Sequence, residues 1–260
     1  MRCSFAVAQT CPVVGNVNAN LREHLRLIEI ASAEAAQLVL FPELSLTGYE
    51  INLAGRLAFS ENDSRLSCLI EAASAGSLTI VVGAPISIAG SLYIGAFIFR
   101  ADGSTAIYTK HYLGAFTERA QCDGVLPPAE ATVFQPGSHN PAVQFGGRHA
   151  AIAICADVGR PSHAQSAADR GARIYLASMF VIPSEFESEA AKLSGYAARH
   201  SMTVAMANFG RASGGLAAAG RSSIWSENGE LLAQLNPSGA GLALGDQTEH
   251  GWRTKTIALD

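Results

Sequence analysis

Three side chains in this sequence could together attack, deprotonate and stabilise at a carbonyl carbon: the thiol of Cys155, the carboxylate of Glu43 and the amine of Lys110. Each stands where a β-forming run ends. Ala150-Ala151-Ile152-Ala153-Ile154 leads into Cys155-Ala156-Asp157, Leu38-Val39-Leu40-Phe41 leads into Pro42-Glu43, and Thr105-Ala106-Ile107-Tyr108-Thr109 leads into Lys110. Open α/β sheets gather their chemistry at strand ends. A lone Cys closing an apolar strand is more often plain core. A thiol, an acid and an amine at three strand exits point instead to one reaction centre.

A Cys thiol with its free pKa of ~8.5 is mostly protonated at neutral pH. A neighbouring carboxylate can take that proton as sulfur attacks, return it to a leaving nitrogen, and then activate water. An ammonium supplies fixed positive charge where the carbonyl oxygen turns negative, and the backbone N–H after the nucleophile, at Ala156, adds a donor. Glu43 and Lys110 read alone could also form a structural ion pair, the lesser of the two readings. His111 offers a competing base for Cys155, which leaves Glu43 without a task. Asp157 reads as a hydrogen-bond acceptor at a helix start. Tyr49, Tyr112, Met179 and Phe180 are pocket candidates by position, although single aromatics and thioethers are core as often.

Composition bounds the class. Hydrophobic residues form 48% of the 260 and charged residues 15%, which suits a sizeable buried core and argues against disorder. The net charge of -4 with scattered Lys and Arg gives nucleic acid no electrostatic footprint. No run approaches the ~20 apolar residues of a membrane span, and the N-terminus alternates rather than forming a leader-like apolar stretch. Five cysteines without C-x-x-C spacing disfavour a disulfide framework and a Cys-rich zinc site, and seven histidines show no H-x-x-x-H pair. No metal or cofactor is expected, and a reducing cytoplasm is the expected compartment.

The elements that must position the three side chains follow from pattern. Ser4 to Gln9 reads as a strand. Asn18 or Asn20 can cap a helix carrying Leu21, Leu25 and Ile28, continuing to about Ala36. A helix over Arg65 to Ala75 ends at Gly76. Thr79 to Pro85 and Ser91 to Phe99 form a hairpin through Ala89-Gly90. Gly114 to Gly147, with Pro127-Pro128, Pro136-Gly137 and Asn140-Pro141, is mostly loop, and a loop that long is usually functional. A helix near His163 to Arg170, a strand Ile174 to Ala177, and a helix opened by a Ser184/Glu187 capping box and running to His200 come next. Thr203 to Ala207, Ser223 to Trp225, Leu231 to Leu235 and Gly241 to Leu244 complete the strands. The alternation argues a layered α/β fold with mixed sheets.

Phe41-Pro42-Glu43-Leu44 with Gly48-Tyr49, Tyr108-Thr109-Lys110 with Leu113, and Ile154-Cys155-Ala156-Asp157 with Pro161 resemble the acid, lysine and nucleophile motifs of the nitrilase superfamily of carbon–nitrogen hydrolases. Glu130, six residues before Pro136-Gly137, stands where that family carries a second glutamate, and Ala207-Asn208 with Gly220-Arg221-Ser222-Ser223-Ile224 is similar to its closing segment. The resemblance covers nearly the whole chain. It implies a four-layer α-β-β-α sandwich, one domain over residues 1–260, and a homodimer or larger assembly paired through an outer helical face. It implies Glu43, Lys110 and Cys155 as the catalytic set, with Glu130 holding Lys110 and orienting substrate. The implied reaction takes a small-molecule amide and water to acid and ammonia through a thioester. N-carbamoyl amino acid hydrolysis and nitrile hydrolysis are the runners-up, and a non-catalytic scaffold of the same fold is the alternative from another class. Tyr112 stands where the family often has His, Ala156 where it has an aromatic residue, and Gly159-Arg160 where it often has Arg-Phe. These departures bear on the pocket wall and leave the substrate open.

Overall fold

The computed structural model describes residues 2–117 and 126–259. Its first sheet carries β1 (Cys3–Gln9), β2 (Leu38–Leu40), β3 (Phe59–Ser60), β4 (Thr79–Ile88), β5 (Ser91–Phe99) and β6 (Thr105–Thr109). The second carries β7 (Val143–Phe145), β8 (Arg148–Ile154), β9 (Ile174–Ser178), β10 (Thr203–Ala207), β11 (Ser223–Trp225) and β12 (Leu231–Gln234). The chain then returns to the first sheet with β13 (Ala240–Thr248) and β14 (Gly251–Leu259). The first sheet runs β14-β13-β1-β2-β4-β5-β6, with β3 on β4, and the second β12-β11-β10-β9-β8-β7. Both are mixed: β1, β2 and β4 pair in parallel, as do β8, β9 and β10, and hairpins flank each parallel core.

Period-two alternation builds the layers. In β1, Phe5 and Val7 enter the core between the sheets while Ala6 and Ala8 face the helices outside. In β8, Ile152 and Ile154 point inward and Ala151 and Ala153 outward. The small outward residues let helices lie close. Helices α1 (Val17–Ala33) and α3 (Ser67–Gly76) cover the first sheet, with Leu21, Leu27, Ile28, Leu69 and Ala73 buried. A one-turn α2 (Ala54–Leu57) lies between them in sequence. Helices α4 (Pro161–Asp169) and α5 (Phe186–His200) cover the second sheet through Ala164, Ala167, Leu193 and Ala197. The result is a four-layer α-β-β-α sandwich.

Several boundaries differ from expectation. Asn16, not Asn18 or Asn20, caps α1 by accepting from the Ala19 N–H at 3.1 Å. Asn20 is buried inside the helix and ties it to Val13 and Leu46. Ser77 takes the left-handed position after α3 at φ +50°, whereas Gly76 is the last helical residue, pressed against Leu78 and Ser32. The Ser184/Glu187 capping box does not form; Glu185 is the cap without a side-chain bond, and Glu187 reaches Arg221. The stretch expected as loop contributes β7, and β14 was not anticipated.

Candidate active site

The three strand exits are shaped by their neighbours. After β2 the chain turns through Glu43, with Leu44 at φ +52°. Strand β4 crosses so close beneath that a Cβ at Gly83 would collide with the Pro42 carbonyl and lie 2.5 Å from the Leu44 nitrogen. From the second sheet, Ser178 Oγ donates to the Phe41 carbonyl at 2.8 Å. Lys110 leaves β6 with its N–H on the Ile94 carbonyl at 2.8 Å and its carbonyl accepting from Gly137 at 2.7 Å. Cys155 leaves β8 at φ +42°, a left-handed conformation that a non-glycine residue keeps only where its surroundings enforce it.

These exits bring the expected charges together. Lys110 Nζ lies 2.6 Å from Glu43 Oε1 and 2.7 Å from Glu130 Oε1, and both Lys110 and Glu43 have no solvent exposure. Glu130 opens a 3-10 turn (Glu130–Thr132) and is fully occupied: Oε1 also accepts from the Tyr49 hydroxyl at 2.8 Å, and Oε2 from the Gly114 N–H at 2.7 Å. Glu43 differs. Its Oε1 is committed to Lys110, its Oε2 is buried without a hydrogen-bond partner, and Cys155 is among the groups that act on this carboxyl; the thiol itself lies 3.9 Å from the Phe180 carbonyl.

Burial pushes the Glu43 carboxyl up to about 7; Lys110 opposes this and Glu130 reinforces it. Burial works against the Lys110 ammonium too, but the carboxylates of Glu43 and Glu130 outweigh it and hold the amine above its ordinary range. Burial, with Glu43 beside it, raises the Cys155 thiol well above its ordinary value, so it rests protonated. Breaking a buried ion pair costs ~3–5 kcal/mol, whereas a packed apolar substitute is often neutral or better. Stability alone therefore does not account for a buried lysine between two carboxylates.

The thiol opens onto a cavity of about 140 Å³. Tyr49, Phe116 and Phe180 form a wall of three mutually packed rings, with centroids 5.0 to 5.6 Å apart. Glu130, Ala156 and Met179 also line it, and at the mouth stand Glu185, Glu189 and Lys192, the last two paired at 2.6 Å. Asn208 pins the wall from behind, accepting from the Val181 N–H at 2.9 Å and donating to its carbonyl at 3.2 Å.

Of the pocket residues expected from sequence, Tyr49, Met179 and Phe180 lie on this cavity. Tyr112 does not. Its side chain is 38% exposed beneath the Arg160 guanidinium, and its N–H is turned onto Asp157. His111 is also away from the cavity, its ring stacked on Tyr108. Phe116 and the mouth residues were missed; Glu185, Glu189 and Lys192 carry the helical spacing of one face, which was the available signal. Among the described residues, Cys3, Cys11, Cys68 and Cys155 are free, and no group of three or more His, Cys, Asp or Glu converges as for a metal.

A four-layer sandwich in which Cys155 and Glu130 line a cavity, with Lys110 and Glu43 buried behind it, is the frame of a hydrolase of carbon–nitrogen bonds. The chain belongs to the carbon-nitrogen hydrolase family, whose sequence pattern it matches over residues 4–253. It is similar to the amidase of Nesterenkonia sp. AN1, solved as a Cys-to-Ala variant with butyramide: TM-score 0.81, 25% identity, 94% of this chain and 90% of that one. A Glu-to-Gln variant of that amidase carries the acetamide moiety of fluoroacetamide on its active-site cysteine, with a TM-score of 0.81, 26% identity, and 94% and 89% coverage. The chain is also 26% identical over 180 residues to the glutamine-dependent NAD(+) synthetase of Thermotoga maritima, covering 67% of this chain and 29% of that protein's length.

Proposed function

We propose that this chain, as one domain over residues 1–260, hydrolyses a small carboxamide to acid and ammonia through a thioester on Cys155. Glu43 takes the thiol proton through its free Oε2 as sulfur attacks the carbonyl carbon. Lys110 and the Ala156 N–H stabilise the oxyanion, and Glu43 returns the proton to the departing nitrogen. Water, activated by the same carboxylate, then releases the acid. Glu130 keeps the ammonium charged and aimed. The observation that carries this reading is the contrast between the two carboxylates on Lys110: Glu130 accepts through both oxygens, whereas Glu43 keeps one buried oxygen without a partner. The small cavity suits a short acyl group, and the likeness to an amidase solved with butyramide supports it.

Glutamine as the amide donor is a second reading, favoured by the likeness to the NAD(+) synthetase. We further propose a homodimer or larger assembly joined through an outer helical layer, and a reducing cytoplasmic setting in which the thiols stay free. No helix of the described residues is long and apolar enough to cross a membrane. The test is an ammonia-release screen over butyramide, glutamine, carbamoyl amino acids and nitriles, with hydroxylamine added to capture the acyl group. Hydroxamate formation lost in Cys155→Ala is expected. Acylation persisting in that variant would refute the nucleophile, and a flat screen would favour a scaffold.

A further inference from the structure

Asp157 takes no part in the steps above, yet its fully buried carboxylate accepts from four donors. Oδ1 accepts from the backbone N–H of His111 at 3.0 Å and of Tyr112 at 2.9 Å. Oδ2 accepts from the Ile154 N–H at 3.0 Å and the Tyr108 hydroxyl at 2.7 Å. Ile154 immediately precedes Cys155, and Tyr108, His111 and Tyr112 lie on both sides of Lys110. One carboxylate therefore fastens the exit bearing the thiol to the exit bearing the amine, across two sheets.

The three N–H donors have fixed roles, but a hydroxyl can rotate. Its direction at Tyr108 is set from behind. With its proton on Asp157, the Tyr108 oxygen is open to accept, and His163 Nε2 lies 3.0 Å away, which makes Nε2 the protonated nitrogen. Nδ1 must then accept, and the Tyr175 hydroxyl at 2.9 Å is its donor. Burial lowers the His163 pKa and keeps the ring neutral, as this order requires. Donation runs one way: Tyr175 to His163 to Tyr108 to Asp157.

We propose that Asp157 is a positioning residue that sets the placement of the Lys110 ammonium relative to the Cys155 thiol, with the Tyr175–His163–Tyr108 relay fixing its orientation. The proposal rests on the nucleophile and oxyanion roles given above. Tyr108→Phe tests it gently, because the ring is kept and only the hydroxyl that joins relay to carboxylate is lost. Tyr196→Phe is the matched comparison: its hydroxyl is also buried and donates to the Val158 carbonyl at 2.9 Å, but does not touch Asp157.

In Tyr108→Phe, kcat for butyramide should fall by ~10- to 100-fold, the range for losing an orienting partner, with KM within about twofold. Alkylation of Cys155 by iodoacetamide should slow by at least about threefold, since a displaced ammonium stabilises the thiolate less. Tyr196→Phe should match wild type in both. The imidazole nitrogens of His163 should show the Nε2–H form by NMR. Wild-type kinetics in Tyr108→Phe, equal losses in the two variants, or a proton on Nδ1 would overturn the proposal. Alkylation needs no substrate, so it reads this geometry for whichever amide the enzyme prefers. A wild-type Cys155 that resists iodoacetamide would instead overturn the catalytic reading on which the proposal stands.

Discussion

Glu43 and Glu130 both lie against Lys110, and hydrogen bonding separates their duties. Glu130 already accepts from a hydroxyl, an ammonium and a backbone N–H, so neither of its oxygens is without a partner. Glu43 keeps one oxygen unbonded, and burial lifts its pKa from an ordinary 4.5 to about 7. A base working at neutral pH does best with a pKa near that pH. The proposed mechanism requires an ionised Glu43 to accept the thiol proton, so kcat/KM for a small amide should climb as pH rises through about 7 and level above it. Initial rates between pH 5 and 9 check this. A profile already flat at pH 5.5 would mean that Glu43 titrates as an ordinary carboxylate and does not gate the first step.

At the scale of elements, β4 and the Glu43 turn press backbone on backbone, and Gly83 is the contact that permits it. Gly83→Ala forces a methyl into the Pro42 carbonyl, where no flexible side chain can yield. Overpacking of this kind costs ~1–3 kcal/mol, or a Tm loss of roughly 3–10 °C in a chain of this size. Calorimetry should show that loss together with a fall in kcat, because the atoms that must move carry Glu43; wild-type kinetics would show the turn to be adaptable. The strand exits themselves were legible, since β2, β6 and β8 are short apolar or β-branched runs, with Lys110 and Cys155 directly beyond β6 and β8 and Glu43 three residues beyond β2. The cap of α1 was not, because Asn16, Asn18 and Asn20 are the same residue type and only the helix's burial register chooses among them. Strand β14 escaped because its exposed residues, Arg253 and Lys255 among them, make no apolar run; it is recruited by backbone pairing with β13. Tyr112 was misplaced because the direction of the lysine loop is set by Asp157, a partner distant in sequence.

For the whole molecule, four layers leave two outer helical faces, one of α1 and α3 and the other of α4 and α5. If one of them pairs two copies, light scattering on the purified chain should give about twice the chain mass or a higher multiple; a monomer across micromolar concentrations would remove the assembly proposed above. The order of the strands also has a bearing on synthesis. Strand β1 pairs along its length with β13, from Cys3 opposite Gln247 to Gln9 opposite Gly241, and β2, which delivers Glu43, lies on β1's other side. Thr248 ends β13 and stands 93 residues beyond Cys155. At the ribosome's pace of roughly 5–20 residues per second, that interval is about 5–20 s. For that time the emerging chain holds Cys155 while the sheet that carries Glu43 is unfinished. Until β13 and β14 arrive, β1 lacks one of its two neighbours, so the sheet whose β2 leads to Glu43 is completed only by the chain's last strands.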